Sequence, residues 1–142
     1  MTLKAVIDTN VLIGALLRRE GQNRRALRLG LERRLTPVVG QALFLEYEDV
    51  LAREQLFRHS PLTSIERRRL FEAFLSVCGW VQVYYLWRPN LRDEADNHIM
   101  ELAVASNANR IVTNNISDFA GSQLRFPAVH VVTPHQLVKE LE

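Results

Sequence analysis

Hydrophobic and polar positions along the chain alternate between short apolar runs and longer stretches with a helical repeat. The clearest apolar run, Leu3–Ile7, is typical of a strand buried on both faces. Further strands are predicted at residues 36–39, 80–86, 110–113 and 128–132. Helices are predicted between them, beginning near Thr9 and covering residues 41–54, 64–77 and 96–106, with an arginine-rich stretch at residues 18–34.

Capping signals support two of these helices. Thr63 and Glu66 have the spacing of a capping box that opens the helix at residues 64–77. Thr133 and Pro134 are typical of the N-cap and first position of a terminal helix. Because strands alternate with helices, we predict an α/β fold, a three-layer α/β/α sandwich with a central parallel sheet. The 142 residues fit one domain, residues 1–142.

Composition narrows the function classes. Apolar residues make up 47% and charged residues 24%, which argues against disordered and coiled-coil proteins. No apolar stretch is long enough for a membrane helix, so we expect a cytoplasmic protein without a membrane partner. The single cysteine excludes an intrachain disulfide and a cysteine-based zinc site. All but two of the 18 basic residues are arginine, which favours phosphate recognition, although a genomic preference for arginine explains this equally well.

Acidic residues fall where a parallel α/β sheet binds its ligands, beyond the carboxyl ends of the strands. Asp8 directly follows the first strand, and Asp118 comes soon after the strand at residues 110–113. Glu46 lies inside the apolar stripe of its helix, and Asp96 lies on the inward side of the first turn of its helix. Taken singly, each has a structural alternative as a helix N-cap or a salt-bridge partner.

Taken together, these carboxylates predict a metal site. Such a cluster repels itself unless a cation neutralises it, and oxygen ligands alone favour Mg²⁺ or Mn²⁺. Ions of this kind activate water and stabilise the leaving oxygen in phosphodiester hydrolysis. The neighbouring polar side chains could position water or the scissile phosphate, and these are Thr9, Asn10, Thr113 and Asn115.

The chain resembles the PIN-domain ribonucleases, especially the VapC-like toxins of bacterial toxin–antitoxin pairs. The most specific segments are residues 6–12 (VIDTNVL) and residues 111–119 (IVTNNISDF). The resemblance implies a compact α/β/α domain that binds Mg²⁺ or Mn²⁺ and cuts single-stranded RNA. It matches the family's acids, first to fourth, to Asp8, Glu46, Asp96 and Asp118. Asp93 is a second candidate for the third role, and Asn115 stands where many relatives carry an acid.

Arginine and aromatic side chains are further candidates for binding. A basic group that could bind RNA phosphates or an acidic antitoxin segment, or form a solvated helix face, consists of Arg18, Arg19, Arg24, Arg25 and Arg28. Trp87 and Arg88 could stack on RNA bases, or serve as a loop anchor or dimer contact. The four histidines are scattered and are predicted to lie at the surface.

The carboxylates and the resemblance together predict a metal-dependent endoribonuclease. The resemblance implies an RNA substrate and a cognate antitoxin protein, and we expect a homodimeric assembly. Three alternatives stay open: an RNA-processing nuclease that is not a toxin, a non-catalytic PIN-like binding module, and a phosphatase or phosphotransferase with a strand-end aspartate nucleophile. The last class usually has a second acid two residues after the nucleophile, and here that residue is Asn10.

Overall fold

Strands and helices alternate along the residues that the computed structural model describes, which are 2–83, 97–121 and 126–142. The strands are β1 (Leu3–Ile7), β2 (Leu35–Val39), β3 (Gly79–Trp80), β4 (Arg110–Val112) and β5 (His130–Val132). The helices are α1 (Thr9–Leu17), α2 (Gln22–Leu31), α3 (Gln41–Leu51), α4 (Ser64–Val77), α5 (Asn97–Ser106) and α6 (Pro134–Leu141). Short 3-10 turns occupy Glu54–Phe57 and Ile116–Phe119.

The five strands form one parallel sheet in the order β3-β2-β1-β4-β5. β1 lies at the centre, with Val6 in register with Val38 of β2 and with Ile111 of β4. The chain leaves β1 toward β2 on one side and later returns on the other side as β4. A crevice at such a switch in strand order is where open α/β sheets bind ligands. The predicted α/β/α architecture is confirmed, and Asp8 lies at this crevice.

The core lies on both faces of the sheet, as a central parallel strand requires. Ala5, Val6 and Ile7 of β1 are at most 1% exposed. On one side an aromatic layer joins α3 to α4. The ring of Tyr47 meets Phe71 and Phe74 edge-on, each at a centroid distance of 6.0 Å. Such edge-to-face pairs stabilise beyond their buried area, so this layer holds α3 firmly over the sheet.

Two predicted elements are shorter than expected. The strand predicted at residues 80–86 begins at Gly79 and ends at Trp80, residues 81–83 form no strand, and residues 84–86 lie outside the described part. Its partner strand β2 ends at Val39, and the Val81 amide donates the last hydrogen bond to the Val39 carbonyl oxygen. Beyond this bond, β2 offers no further residue with which β3 could pair. The helix predicted at residues 41–54 ends at Leu51 and is followed by the turn Glu54–Phe57.

Other boundaries agree within two residues. β2 begins one residue before the predicted start, β4 ends one residue before the predicted end, and β5 begins two residues later than predicted. The arginine-rich stretch contains the separate helix α2, which begins after Gly21 at a φ of 118°, a conformation that favours glycine. Both predicted N-caps are present as reciprocal capping boxes, at Thr63 and at Thr133. Within the described ranges, no helix combines the length and apolar character needed to cross a membrane.

Candidate active site

The Asp8 carboxylate is held at the end of β1 by side chains from two other segments. Asp8 occupies the N-cap position of α1 but makes no side-chain capping bond. Its Oδ2 accepts a hydrogen bond from Thr113 Oγ1 at 2.7 Å and another from Asn10 Nδ2 at 3.2 Å. Because Thr113 directly follows β4, the central strand β1 and its neighbour β4 contribute to one polar site. The Asp8 carboxylate is therefore held by Thr113 and Asn10 and does not cap α1 through its side chain.

Burial makes the negative charge of Asp8 costly. The residue is only 7% exposed, and this burial is the main cause that raises the pKa of its carboxyl group. The nearby negative charge of Glu46 raises that pKa further, whereas hydrogen bonds from Thr113 and from the Thr9 amide oppose the rise. A carboxylate in this setting gains from a neighbouring cation.

Glu46 of α3 lies beside Asp8 and has the opposite pKa shift. Its Oε2 accepts a hydrogen bond from the Thr9 hydroxyl, and its Oε1 lies 3.4 Å from His98 Nε2. Burial alone would raise the pKa of Glu46, but the hydrogen bonds from His98 and Thr9, together with the charge of His98, bring that pKa below its ordinary value. Glu46 therefore carries a negative charge at neutral pH, next to a carboxyl group that burial disfavours in its charged form.

Tyr47 fixes α3 relative to the end of β1. The side chain is fully buried, and its hydroxyl donates a hydrogen bond to the Ile7 carbonyl oxygen at 2.5 Å. Burial, with smaller contributions from Cys78, Asp8 and Glu46, raises the pKa of Tyr47 well above its ordinary value, so the hydroxyl keeps its proton. Because Ile7 precedes Asp8 and Tyr47 follows Glu46, this bond links the chain beside one acid to the chain beside the other.

The predicted supporting residues meet at the same place. Thr9 contacts Glu46, while Asn10 and Thr113 contact Asp8. Asn115 contributes its backbone amide, which donates to Thr113 Oγ1 at 3.0 Å. Each of these residues orients an acid or a residue that contacts one, so the group is well suited to hold two carboxylates in fixed positions.

The other predicted acids are not joined to this pair in the described part of the chain. Asp118 is exposed on the turn Ile116–Phe119, and within the described residues it does not form a three-membered group of metal-ligating side chains with Asp8 and Glu46. Asp93 and Asp96, with Trp87 and Arg88, lie outside the described residues. Within the three described ranges, no three His, Cys, Asp or Glu side chains converge as a ready metal site.

The donors that are described fit a hard divalent cation. Asp8 and Glu46 offer carboxylate oxygens and Thr9 adds a hydroxyl oxygen that contacts Glu46. Oxygen donors of this kind suit Mg²⁺ or Mn²⁺ better than softer metals. Asp8 and Glu46 are two of the four predicted ligands, and the metal-binding roles of all four, Asp96 and Asp118 included, stay predictions.

The predicted basic group divides into residues that have structural partners and residues for which the described part of the chain shows no ion pair. Arg24 is partly buried and its Nε donates to the Ala15 carbonyl oxygen at 2.7 Å, which ties α2 to α1. Arg25 forms an ion pair with Glu142 at 2.6 Å, and Arg19 donates to the Pro61 carbonyl oxygen at 3.4 Å. Arg18 and Arg28 are exposed, and no ion pair is found for either of them with another described residue. These two are the better candidates for contacts with an anionic partner.

Two features of the site were missed from the sequence. His98 was predicted at the surface, but its side chain is 20% exposed and contacts Glu46. It also lines a cavity of about 660 Å³ between α3, β3 and α5. His98 precedes Glu101 by three residues and Leu102 by four, so it lies on the same face of α5 as these two buried residues. This spacing is the sequence signal that could have predicted an inward-facing His98. Asn114, which contacts Asn10, had no periodic signal because it lies in a loop.

Comparisons with known proteins identify the family. A family model described as PIN domain matches residues 4–117, which include Asp8 and Glu46. The chain belongs to the PIN-domain family. Among solved structures, this PIN domain is similar to VapBC2 from Rickettsia felis bound to a DNA fragment from its promoter, with 19% identity and a TM-score of 0.63. The likeness covers 92% of this chain and 98% of the other, and it shows the fold. A search of curated proteins finds no match.

Proposed function

We propose that this PIN domain is a metal-dependent endoribonuclease that cleaves single-stranded RNA, and that it acts as the toxin of a toxin–antitoxin pair. The observation that carries the proposal is the buried Asp8 carboxylate, oriented at the switch in strand order with Glu46 beside it. Membership of the PIN-domain family supports a nuclease. The likeness to VapBC2 supports an antitoxin partner, because that structure is a complex of that kind.

The residues of this chain have distinct roles in the proposal. Asp8 and Glu46 hold the cation, while Thr113 and Asn10 orient Asp8 and Thr9 orients Glu46. When bound, Mg²⁺ or Mn²⁺ activates the attacking water and stabilises charge on the phosphate oxygens. Asn115, whose side chain is exposed beside Thr113, is available to contact the substrate phosphate.

Asp96 and Asp118 complete the proposed ligand set. Asp96 comes directly before α5, the helix that carries His98 toward Glu46. We therefore predict that Asp96→Asn reduces cleavage far more than Asp93→Asn, measured as the single-turnover rate on one RNA. A larger loss for Asp93→Asn would assign the third role to Asp93.

Partner and substrate contacts belong to the exposed arginines in this proposal. Arg18 and Arg28 are placed to meet RNA phosphates or an acidic antitoxin segment, and Trp87 and Arg88 are proposed base contacts. We further propose that residues 1–142 form one domain, that the toxin is a cytoplasmic homodimer, and that a cognate antitoxin covers its basic surface until the toxin is released.

The proposal is tested by cleavage of a labelled single-stranded RNA of mixed sequence. We expect cleavage in Mn²⁺ or Mg²⁺, none in EDTA, and at least a hundredfold slower cleavage by Asp8→Asn, since positioned metal and acid together contribute roughly this much or more. Asp49→Asn is the matched control, because Asp49 is an exposed acid of α3 that forms an ion pair with Arg53. Equal cleavage with and without EDTA would refute the metal-dependent mechanism.

The toxin role has its own test. Induced expression of the chain should arrest growth of a bacterial host, and coexpression of the protein encoded by the adjacent gene should restore growth. Asp8→Asn, expressed to the same level, should leave growth normal. Unimpaired growth with soluble wild-type protein that cleaves RNA in vitro would favour the RNA-processing alternative.

A further inference from the structure

We infer that Asn23 is a positioning residue for Asp8, acting through a relay of side-chain amides that crosses from α2 to the end of β1. The inference rests on the proposed function, because it takes Asp8 as the acid that holds the cation. It adds a remote residue on another helix, whose described hydrogen bond is to Asn114 and not to Asp8 or Glu46.

The relay consists of successive hydrogen bonds between three asparagines. Asn23 Oδ1 accepts from Asn114 Nδ2 at 3.1 Å. Asn10 Oδ1 accepts from the same Asn114 Nδ2 at 3.3 Å and from the Asn114 backbone amide at 3.2 Å. Asn10 Nδ2 then donates to Asp8 Oδ2 at 3.2 Å and to Thr113 Oγ1 at 3.4 Å. The relay therefore links α2, the loop after β4, α1 and Asp8.

The Asp8 carboxylate at one end of the relay determines which group of each asparagine donates and which accepts. An ionised Asp8 only accepts, so Asn10 must turn its NH₂ group toward Asp8 and its oxygen toward Asn114. Asn114 then donates from its backbone and side chain, and its second side-chain hydrogen is left for Asn23, which must accept with its oxygen. One orientation of each amide satisfies the whole chain, and the donors are polarised toward the negative charge of Asp8.

Gly14 makes room for Asn23 between α1 and α2. A Cβ atom at position 14 would lie 2.1 Å from Asn23 Nδ2 and 2.7 Å from Asn23 Cγ. Those distances are far shorter than any van der Waals contact, so a side chain at position 14 would displace the Asn23 amide. The close approach of α1 and α2 thus places Asn23 at the end of the relay, and the carbonyl of Ala15 on α1 is held by Arg24 next to it.

The consequence is a carboxylate whose orientation depends on a residue of another helix. Without Asn23, Asn114 loses one of its partners and Asn10 is less constrained against rotation away from Asp8. Misplacement of a reacting group by about 1 Å costs up to about 100-fold in rate. Two residues, Asn114 and Asn10, lie between Asn23 and Asp8 in the relay. We therefore expect the loss of Asn23 to lower the cleavage rate by a smaller factor, about tenfold.

The test compares Asn23→Ala with Asn23→Asp and with Asn109→Ala. Asn109 is the matched control, because its side-chain oxygen also accepts a hydrogen bond, from the Lys4 amide, but at the opposite end of β1. We expect Asn23→Ala to lower kcat for single-stranded RNA about tenfold, with KM within about twofold of wild type. It should also raise the Mn²⁺ concentration that gives half of the metal-dependent rise in Tm. Asn23→Asp keeps the acceptor oxygen and should restore most of both properties, and Asn109→Ala should change neither.

A third readout separates the relay from the proposed function. Hydrogen exchange of the Asn10 side-chain amide, followed by NMR without metal, should be faster in Asn23→Ala than in wild type and Asn109→Ala. Unchanged exchange at Asn10, or equal losses in Asn23→Ala and Asn23→Asp, would overturn the relay even in an active nuclease. If wild type neither cleaves RNA nor gains stability from Mn²⁺, the proposed function fails, while exchange at Asn10 still decides the relay. If Asn23→Ala folds poorly, Asn114→Ala takes its place, because it breaks the relay at an exposed residue. We expect Asn114→Ala to show the same losses in kcat and Mn²⁺ response and the same faster exchange at Asn10.

Discussion

Replacing Tyr47 by Phe removes one hydroxyl group from the core and tests how α3 is fixed to β1. The ring contacts with Phe71 and Phe74 stay, since the two side chains have the same ring. What is lost is the hydrogen bond from the Tyr47 hydroxyl to the Ile7 carbonyl oxygen, which is made by a fully buried side chain. The change therefore isolates a single polar contact beneath the two acids.

The size of the effect follows from the burial of that contact. A typical intramolecular hydrogen bond contributes about 0.5–1.5 kcal/mol, and a buried acceptor left without its donor costs about 1–3 kcal/mol. We expect Tyr47→Phe to lower the free energy of unfolding by about 2 kcal/mol. For a domain of this size, that loss corresponds to a fall in Tm of about 6 °C.

The assay is urea unfolding followed by circular dichroism, with EDTA present so that metal binding does not contribute. Ser76→Ala is the matched control, because the Ser76 hydroxyl also donates to a carbonyl, that of Ala73, but at an exposed position of α4. We expect the control to stay within about 0.5 kcal/mol of wild type. A Tyr47→Phe variant equally close to wild type would refute the view that this bond holds α3 on the sheet.

Two further predictions concern titratable groups whose pKa is raised by burial. In EDTA, Asp8→Asn should be as stable as wild type or more stable by about 1 kcal/mol, because the substitution removes a buried charge that Glu46 repels. A clear fall in Tm relative to wild type would contradict this prediction. Burial raises the pKa of the Cys78 thiol from 9.0 to about 12, so the folded chain keeps a proton that the unfolded chain loses. The free energy of unfolding should therefore fall as pH rises from 9.0 toward 12, and it should fall less in Cys78→Ala. At pH 8, a thiol reagent should label Cys78 much faster in urea than in the native protein.

Local signals in the sequence were sufficient to predict most of the fold. Leu3–Ile7 is nearly all apolar because β1 is covered on both faces, and the Thr63 capping box marks the start of α4 because its bonds are local. The end of β3 could not be predicted in this way. Its length depends on where β2 stops, and that is a property of the neighbouring strand rather than of residues 80–86.

The candidate site was predicted only in part, because local sequence signals mark single residues but not their long-range contacts. Asp8 is marked by its place after a buried strand, and Glu46 by its place in an apolar stripe. The contacts that tune them are long-range: His98 reaches Glu46 across 52 residues, and Asn114 reaches Asn23 across 91. No local pattern encodes such pairs. Arg24 shows the converse, because its clustering with other arginines suggested a binding residue, whereas the structure gives it a helix-packing contact.

The most direct test of the central claim is Mn²⁺ binding to the purified protein, measured by calorimetry without any RNA. This measurement needs no knowledge of the RNA target and reports on the acids themselves. The account predicts saturable binding to wild type, at least tenfold weaker binding to Asp8→Asn, and unchanged binding to Asp49→Asn. Equal Mn²⁺ affinity of wild type and Asp8→Asn would contradict it, because Asp8 would then not hold the metal.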